Sequence, residues 1–296
     1  MSDKIIKKDE REEIFESAKD VSNALPTSYI ISESRIIVDE FNSYLKEKEQ
    51  YDFLTNWKKK NDAPNMRETE ALIEFMAKFT DEEEWLDKGS KQNREYLAEM
   101  LKKDQLSPKS PLNHCSVTVL FNNISMLAIK KILAHRLVGL TISDKPYNLP
   151  AFSFWIPPSF EADAKLSGAY GEIFAQLNVI KNQLVNRMKL WEIKDNEEVK
   201  KKVQDMSRLF PWGLQVTAGI TAGLGTWRHL LKLCANQGSD DELRYTFLFL
   251  GKKLKERYGN VFQDMILEDA VGKKFGMDTL LSAPSAWKAF NIGFKL

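Results

Sequence analysis

The sequence predicts an α+β fold, and three patterns predict it. Apolar residues recur at helical spacing over most of the chain. Residues 115–121 and 215–221 are instead short runs dense in β-branched and apolar side chains, the mark of strands. Each of these runs is followed by a helical pattern, so strands and helices interleave.

The chain of 296 residues, 43% of them hydrophobic, is long enough to bury a substantial core. We read one α+β core over residues 104–296, preceded by a helical N-terminal region, residues 1–103, that is partly an extension. The formal net charge is +1, from 43 basic and 42 acidic side chains, so no overall field favours nucleic acid or an anionic membrane. No apolar run has the length of a membrane span, and the opening MSDKIIKKDEREE is charged where a signal peptide needs its apolar core. The expectation is a soluble, cytoplasmic protein. Cys115 and Cys234 sit in apolar contexts and read as small buried hydrophobes. With three histidines and no Cys or His pair at ligand spacing, no metal site is expected.

In chain order, Ile36, Ile37, Phe41, Tyr44 and Leu45 give one amphipathic face, and Leu72, Ile73, Phe75, Met76 and Phe79 another. The acidic run 81–84 and the basic run 58–60 read as solvated helix faces. Prolines and serines between 104 and 111 mark an internal boundary. After the strand at 115–121, Met126, Ile129, Ile132, Leu133 and Leu137 recur at helical spacing from Ser125 onward and carry His135 and Arg136 to the helix end. A polar elbow follows, with Asp144, Lys145 and Tyr147, and then FSFWIPP at 152–158.

Ser159 is the expected cap of a long helix, with Glu161 and Asp163 in its first turn. Ile173, Leu177, Ile180, Leu184, Met188 and Trp191 form a regular seam on it, read as core or subunit interface. Residues 215–221 end in a glycine-bearing turn, GITAGLG at 219–225, ahead of a helix over 226–236. The last helix is expected to start at Ser239 with Glu242 completing a capping box; Leu243, Phe247, Leu250 and Leu254 line its apolar face, and Gly259 stops it.

Chemistry-bearing residues gather near the turns. His114 precedes the first strand, His135 ends the next helix, and His229 lies in the helix after the glycines; a lone histidine is ordinarily structural, and acid–base work needs geometry as well. GITAGLG lacks both the Lys-Ser/Thr ending of a phosphate loop and the order of a dinucleotide fingerprint. It reads either as a plain tight turn or as an anion-binding turn, since it opens a helix that carries Arg228, His229 and Lys232. No serine sits in a nucleophile elbow, and no carboxylate pair has glycosidase spacing.

The stretch 113–148 resembles the signature region of the flavin-dependent thymidylate synthases. In that family a Ser-Pro-Phe-Glu-His run precedes a strand, and a helix then ends in Arg-His-Arg with a serine beyond it, Arg-Tyr close behind, and an aromatic segment ending in proline. Here Ser110-Pro111-Leu112-Asn113-His114 precedes the strand, Ala134-His135-Arg136 ends the helix, and Tyr147 and FSFWIPP hold their places. Ser207-Arg208-Leu209-Phe210-Pro211 resembles the family's Ala-Arg-x-x-Leu-Pro, and WRHLLKL at 227–233 its Leu-Arg-His-Phe-Leu helix. The similarity runs from about residue 90 to 265.

That resemblance implies a helix-rich subunit with a central antiparallel or mixed sheet, a homotetramer, and FAD and dUMP held at shared sites. The family reaction methylates dUMP with methylenetetrahydrofolate and NADPH. By position, the resemblance places His114, His135, Arg136, Arg228 and His229 at the cofactor and Arg136, Asp144 and Tyr147 at the substrate. The signature departs from the family at Ala134 (for Arg), Asp144 (for Ser, with Ser143 one place early) and Pro146 (for Arg). In the second block Gly223-Leu224-Gly225 replaces Asn-x-Arg and Cys234 replaces Arg; of Ala-Gln-x-Glu, only Glu242 remains. A carboxylate at 144 would repel a nearby phosphate. These changes suggest a nucleotide-handling flavoprotein with altered substrate or reaction. The alternatives are a non-catalytic oligomer subunit, or unaltered dUMP methylation to dTMP.

Overall fold

The computed structural model describes residues 25–47, 53–60, 67–79, 93–103, 110–135, 139–143, 153–236, 238–269, 273–275, 288 and 290–294. In chain order the elements are β1 (Thr27–Glu33), α1 (Val38–Glu47), α2 (Phe53–Lys60), α3 (Glu68–Phe79) and α4 (Asn93–Lys103). A 3-10 turn (Pro111–His114) then leads into β2 (Ser116–Ser125), α5 (Met126–Leu133) and β3 (Gly139–Ile142). The second half runs α6 (Pro158–Glu161), α7 (Ala164–Met188), α8 (Asn196–Ser207), β4 (Gln215–Gly223), α9 (Leu224–Cys234) and α10 (Asp241–Arg257), closing with β5 (Met265–Asp269), β6 (Lys274–Phe275) and β7 (Phe290–Phe294). One sheet has the strand order β1-β2-β4-β3, and a second is β6-β5-β7. In the second sheet both pairings are antiparallel, with Leu267 opposite Ile292 on one side and Phe275 on the other. The α+β, helix-rich expectation holds.

The chain divides into two compact units. The first consists of Met1–Thr27, Phe121–Ala134 and Thr141–Ala218. One of its hydrophobic clusters is Phe154, Phe174 and Leu214, with the two phenyl rings stacked 3.7 Å apart and Tyr170 edge-on to Phe174 at 4.5 Å. Phe154 is held there by a bridge to Leu214. Ser125, from which the helical period was read, caps α5, its hydroxyl accepting the Ala128 N–H at 3.1 Å.

The cap of α7 is a correction. Ser159 lies inside the short α6, and Asp163 starts the long helix instead, accepting the N–H groups of Lys165 and Leu166. The expected seam is divided: Leu177 packs against the Phe154, Phe174 and Leu214 cluster, while other positions are open. Ile173 is 56% exposed and Ile180 47%, while the buried line on α7 is Phe174, Asn178 and Lys181.

The second unit consists of Ser28–Leu120, His135–Leu140 and Gly219–Leu296. Its N-terminal helices pack through Leu45, Phe53, Leu54, Trp57, Ala71 and Phe75, with Phe41 edge-on to Phe75 at 4.6 Å. Ile37, expected on that apolar face, is exposed. A second correction concerns the N-terminal region: its described residues include a strand, β1, where the alternating TSYIISE run extends, and Ser34 just beyond it donates its N–H to Ser116 O of β2 at 2.9 Å. Glu33 at its end accepts from Arg257 at 2.8 and 2.9 Å and from the Tyr258 hydroxyl at 2.7 Å.

Buried Glu74 accepts from Trp57 Nε1, Lys78 Nζ and Asn93 Nδ2, and Glu70 beside it accepts the Asn260 N–H at 3.0 Å. Buried carboxylates require such partners. On α10, Leu243, Phe247, Leu250 and Leu254 are buried as read from the sequence. Its cap is Asp240 rather than Ser239, whose hydroxyl instead donates to Leu233 O. The acidic run 81–84 and most of the 104–111 boundary lie outside the described residues.

Candidate functional site

The second unit brings together two of the three histidines. His135 follows Ala134, the C-cap of α5, and His229 sits on α9; their rings meet edge to face with centroids 5.8 Å apart. Both are half-buried. Burial, the facing His135 and then Lys232 one turn further along α9 all press the His229 imidazole below its ordinary value, because each disfavours a second positive charge. Lys232 is exposed.

α9 is held in place from several sides. Trp227 is fully buried and its indole N–H donates to Val117 O at 3.0 Å. Leu230, Leu231 and Cys234 fill the same buried face. No turn intervenes between β4 and α9, which corrects the expected glycine turn: Gly219 lies within the strand, and the chain passes directly from Gly223 into the helix. The glycines serve a close approach. A Cβ at Gly223 would meet Asn113 Oδ1 at 3.0 Å and Asn113 Cα at 3.1 Å, and one at Gly225 would meet Oδ1 at 2.7 Å. The Leu224 N–H is also taken, by Cys115 O at 2.9 Å. The start of α9 is packed against the 3-10 turn, which favours the tight-approach reading of GITAGLG over an anion-binding turn.

Arg228 has another use. Its guanidinium makes a two-pronged pair with Asp264, at 2.7 and 2.6 Å, and donates to Val261 O at 2.5 Å. The ring of Phe294 lies 4.5 Å from it and that of Phe262 5.7 Å. The fork expected at the cofactor is engaged within the chain. Asp264, which sequence reasoning missed, carries no local signal: it is an ordinary acid ahead of a strand, and only the fold sets it against Arg228.

His114 ends the 3-10 turn and is exposed. Arg136, Asp144 and Tyr147 lie outside the described residues. In the first unit, Ser143 donates its N–H to Thr217 O at 2.8 Å, while its buried hydroxyl oxygen has no hydrogen-bond partner among the described residues. Arg208 is exposed and lies 3.7 Å from Asp205.

The cysteines are free and buried; burial pushes the Cys115 thiol up to about 12, and its sulfur donates to Thr69 O at 3.4 Å. Such a thiol is a packing group and no nucleophile. Among the described residues no three His, Cys, Asp or Glu side chains gather as a metal site. No described helix is long and apolar enough to cross a membrane. A polar cleft of about 230 Å³ lies elsewhere in the second unit, lined by residues 30–33, Arg35 and Arg257, and no histidine lines it.

For a flavin, the donor set fits in part. His135, His229 and Lys232 supply N–H donors for an anion, whereas Arg228 and the start of α9 are otherwise engaged.

His229 rides on α9, directly after β4, and His135 follows the C-cap of α5; the class to which the chain belongs is assigned by its sequence. The model of the family described as thymidylate synthase complementing protein matches residues 64–258, well over half of the chain, and this chain belongs to that family. It is similar to a flavin-dependent thymidylate synthase of Corynebacterium efficiens, 24% identical over 206 residues, 67% of this chain and 80% of that protein. Among solved structures it is similar to the UMP/dUMP methylase PolB from Streptomyces cacaoi bound with 5-Br UMP, with TM-score 0.53 and 9% identity, covering 82% of this chain and 93% of that one. That likeness is one of fold. A flavin-dependent thymidylate synthase from Helicobacter pylori complexed with FAD and dUMP gives TM-score 0.44 at 13% identity, covering 66% and 94%. The family match begins at residue 64, so it takes in α3 and α4, ahead of the residue-90 limit read from the motifs.

Proposed function

We propose that this chain is a cytoplasmic flavoprotein that methylates a pyrimidine nucleotide, with its cationic contacts altered from the family pattern. The observation that carries this reading is the meeting of His135 and His229: two family-motif histidines, far apart in sequence, face each other at 5.8 Å. A bound flavin would supply hydride chemistry; the chain supplies His135, His229 and Lys232 as donors to its anionic part. His114, Arg136, Asp144 and Tyr147 belong to the same proposal by motif position, with Arg136, Asp144 and Tyr147 at the nucleotide and Arg228 acting as a brace. Methylenetetrahydrofolate and NADPH are the proposed co-reactants. Either dUMP or UMP suits the reading, since the curated relative is a thymidylate synthase and the solved neighbour a UMP/dUMP methylase.

The working form is proposed to be a homo-oligomer, a tetramer on the family pattern. The exposed Leu166, Ile173 and Ile180 of α7 supply an apolar face for it. A second reading, a non-catalytic oligomer subunit, is favoured by one observation: Arg228 is committed to Asp264 and so withheld from ligand.

The test is a visible spectrum of the purified protein. Flavin absorption that survives desalting, or uptake of added FAD, supports the flavoprotein. A colourless protein that takes up no FAD sinks it and leaves the subunit reading. Thermal shifts with dUMP and UMP then rank the nucleotides.

A further inference from the structure

We propose that Glu70 of α3 is a positioning residue for Arg228 of α9: acting through Val261, in the turn between α10 and β5, the charge on its carboxyl sets how firmly that turn holds the guanidinium. The linkage lies wholly within the second unit and stands with or without a flavin. It rests on the flavoprotein reading only for what Arg228 then does for α9 and its His229.

Val261 is fully buried, and its two backbone groups are divided between opposite charges. Its N–H donates to the Glu70 carboxyl, and its C=O accepts from Arg228 Nη1 at 2.5 Å. Neither charged group has much water to turn to, since Glu70 is 1% exposed and the Arg228 side chain 11%. The neighbouring residues of the turn are tied to the same two sides. Asn260 donates its N–H to Glu70 Oε1 at 3.0 Å and its Nδ2 to Asn93 Oδ1 at 3.0 Å. Asp264 takes both Nη groups of Arg228. A carboxyl and a guanidinium that do not touch therefore hold opposite ends of one short turn, and a change in the grip of one is felt by the other.

Glu70 accepts from three backbone N–H groups, those of Asn260, Arg67 and Val261. An ionised carboxyl can do this because both of its oxygens accept, whereas protonation turns one oxygen into an O–H donor. Hydrogen bonds to a charged acceptor are also about twice as strong as neutral ones. Once protonated, Glu70 cannot keep all three bonds at full strength, and the turn adjusts at its other anchors, Arg228 among them. Burial brings this protonation within reach by pushing the carboxyl up to about 6.

The other charged groups around Glu70 are engaged or lie at the surface. On α3, Glu74 is held by Trp57, Lys78 and Asn93, and Glu68 pairs with Lys58 of α2. Arg67, just ahead of α3, works to lower Glu70 and never loses its charge. On α4, Arg94 and Glu95 are exposed, and the Arg94 carbonyl accepts from Gln263 of the turn at 2.8 Å. At the end of α10, Arg257 and Tyr258 are bonded to Glu33 of β1, and Lys255 donates to Met265 O. The 3-10 turn brings His114, exposed, and α9 brings His229 beside Arg228. A signal that came from either histidine would survive replacement of Glu70.

The test uses the full chain and follows three NMR signals through the acid range around the Glu70 midpoint: the Glu70 side-chain carboxyl carbon, the Val261 amide and the Arg228 Cζ. In the wild type all three move with one shared midpoint, at about 6. In E70Q the movements of Val261 and Arg228 are lost, although neither residue has been changed. A carboxyl that only packs the N-terminal helices would shift its own signal and leave Arg228 Cζ still. Should E70Q fail to fold, the wild type alone decides, since the midpoint of Arg228 must coincide with that of the Glu70 carbon. An Arg228 signal that does not move, that moves with a midpoint other than that of Glu70, or that keeps its movement in E70Q overturns the proposal. The two readings fail separately. A shared midpoint in a protein that takes up no FAD keeps the linkage and rejects the flavoprotein; a protein that binds FAD while Arg228 ignores Glu70 does the opposite.

Discussion

Removing one partner of the Arg228–Asp264 pair will destabilise the fold more than removing both. The side chains are 11% and 4% exposed, the geometry is two-pronged, and Phe294 lies against the guanidinium. In D264N the guanidinium keeps its charge but loses the carboxylate, in a setting with little water to replace it. Breaking a buried pair this way costs about 3–5 kcal/mol, most of it the penalty of an uncompensated buried charge. The Val261 carbonyl still accepts from Arg228, so the lower part of that range is expected. In the double variant R228M/D264L no charge is left stranded and apolar contact with Phe262 and Phe294 persists, so the cost falls to about 1 kcal/mol or less. Urea denaturation midpoints of the two single variants and the double variant measure this directly. A cost for D264N below about 1 kcal/mol, or a double variant worse than both singles, would refute the reasoning and show the pair to be solvated.

Other perturbations test other parts of the structure. Burial pushes the Glu70 carboxyl up to about 6 from its ordinary 4.5, against the N–H groups and Arg67 that work to lower it. A carboxyl raised in the folded state favours folding below about pH 4.5 and loses that contribution as pH rises through about 6, a change of about 2 kcal/mol at 1.36 kcal/mol per unit. E70Q removes this slope, which pH-dependent urea midpoints would show; an unchanged slope in E70Q assigns it to another group. Glu33 acts with opposite sign: burial works to raise it, but the bonds from Arg257 and Tyr258 outweigh that and hold it below the ordinary range, so E33Q removes stability that the wild type loses only on acidification. At the start of α9, G223A meets the backbone of Asn113, while G225A meets chiefly the end of its side chain and then Leu112 Cβ at 3.4 Å, so G223A is the more destabilising, at a cost of about 1–3 kcal/mol. N113A relieves G225A and leaves G223A impaired; equal rescue of both would contradict the packing described.

What the sequence made legible follows from which forces are local. The apolar faces of α3 and α10 repeat at helical spacing, and Leu243, Phe247, Leu250 and Leu254 are buried where the pattern put them. The strand β1 was hidden because the sequence around it is rich in lysine and glutamate, and its partner Ser116 lies far along the chain. Helix starts were misplaced by a few residues for a shared reason. At both α7 and α10 an aspartate, Asp163 or Asp240, takes the cap from a nearby serine, and a carboxylate at a helix start gains from the dipole as well as from the hydrogen bond.

The site was half legible. The family resemblance nominated His135 and His229, and the fold brings their rings together edge to face. It nominated Arg228 for the same reason, its place in the motif helix, yet Arg228 turns to a carboxylate that no motif announces. The difference is physical. Motif position fixes which turn of a helix a residue occupies, while the partner of a long charged side chain is settled by whichever opposite charge the tertiary fold leaves desolvated beside it. Here that charge is Asp264, 4% exposed, and pairing it with Arg228 satisfies both groups at once. Burial first, then His135 and Lys232, press the His229 imidazole down, and Arg228 is not among the groups that do so.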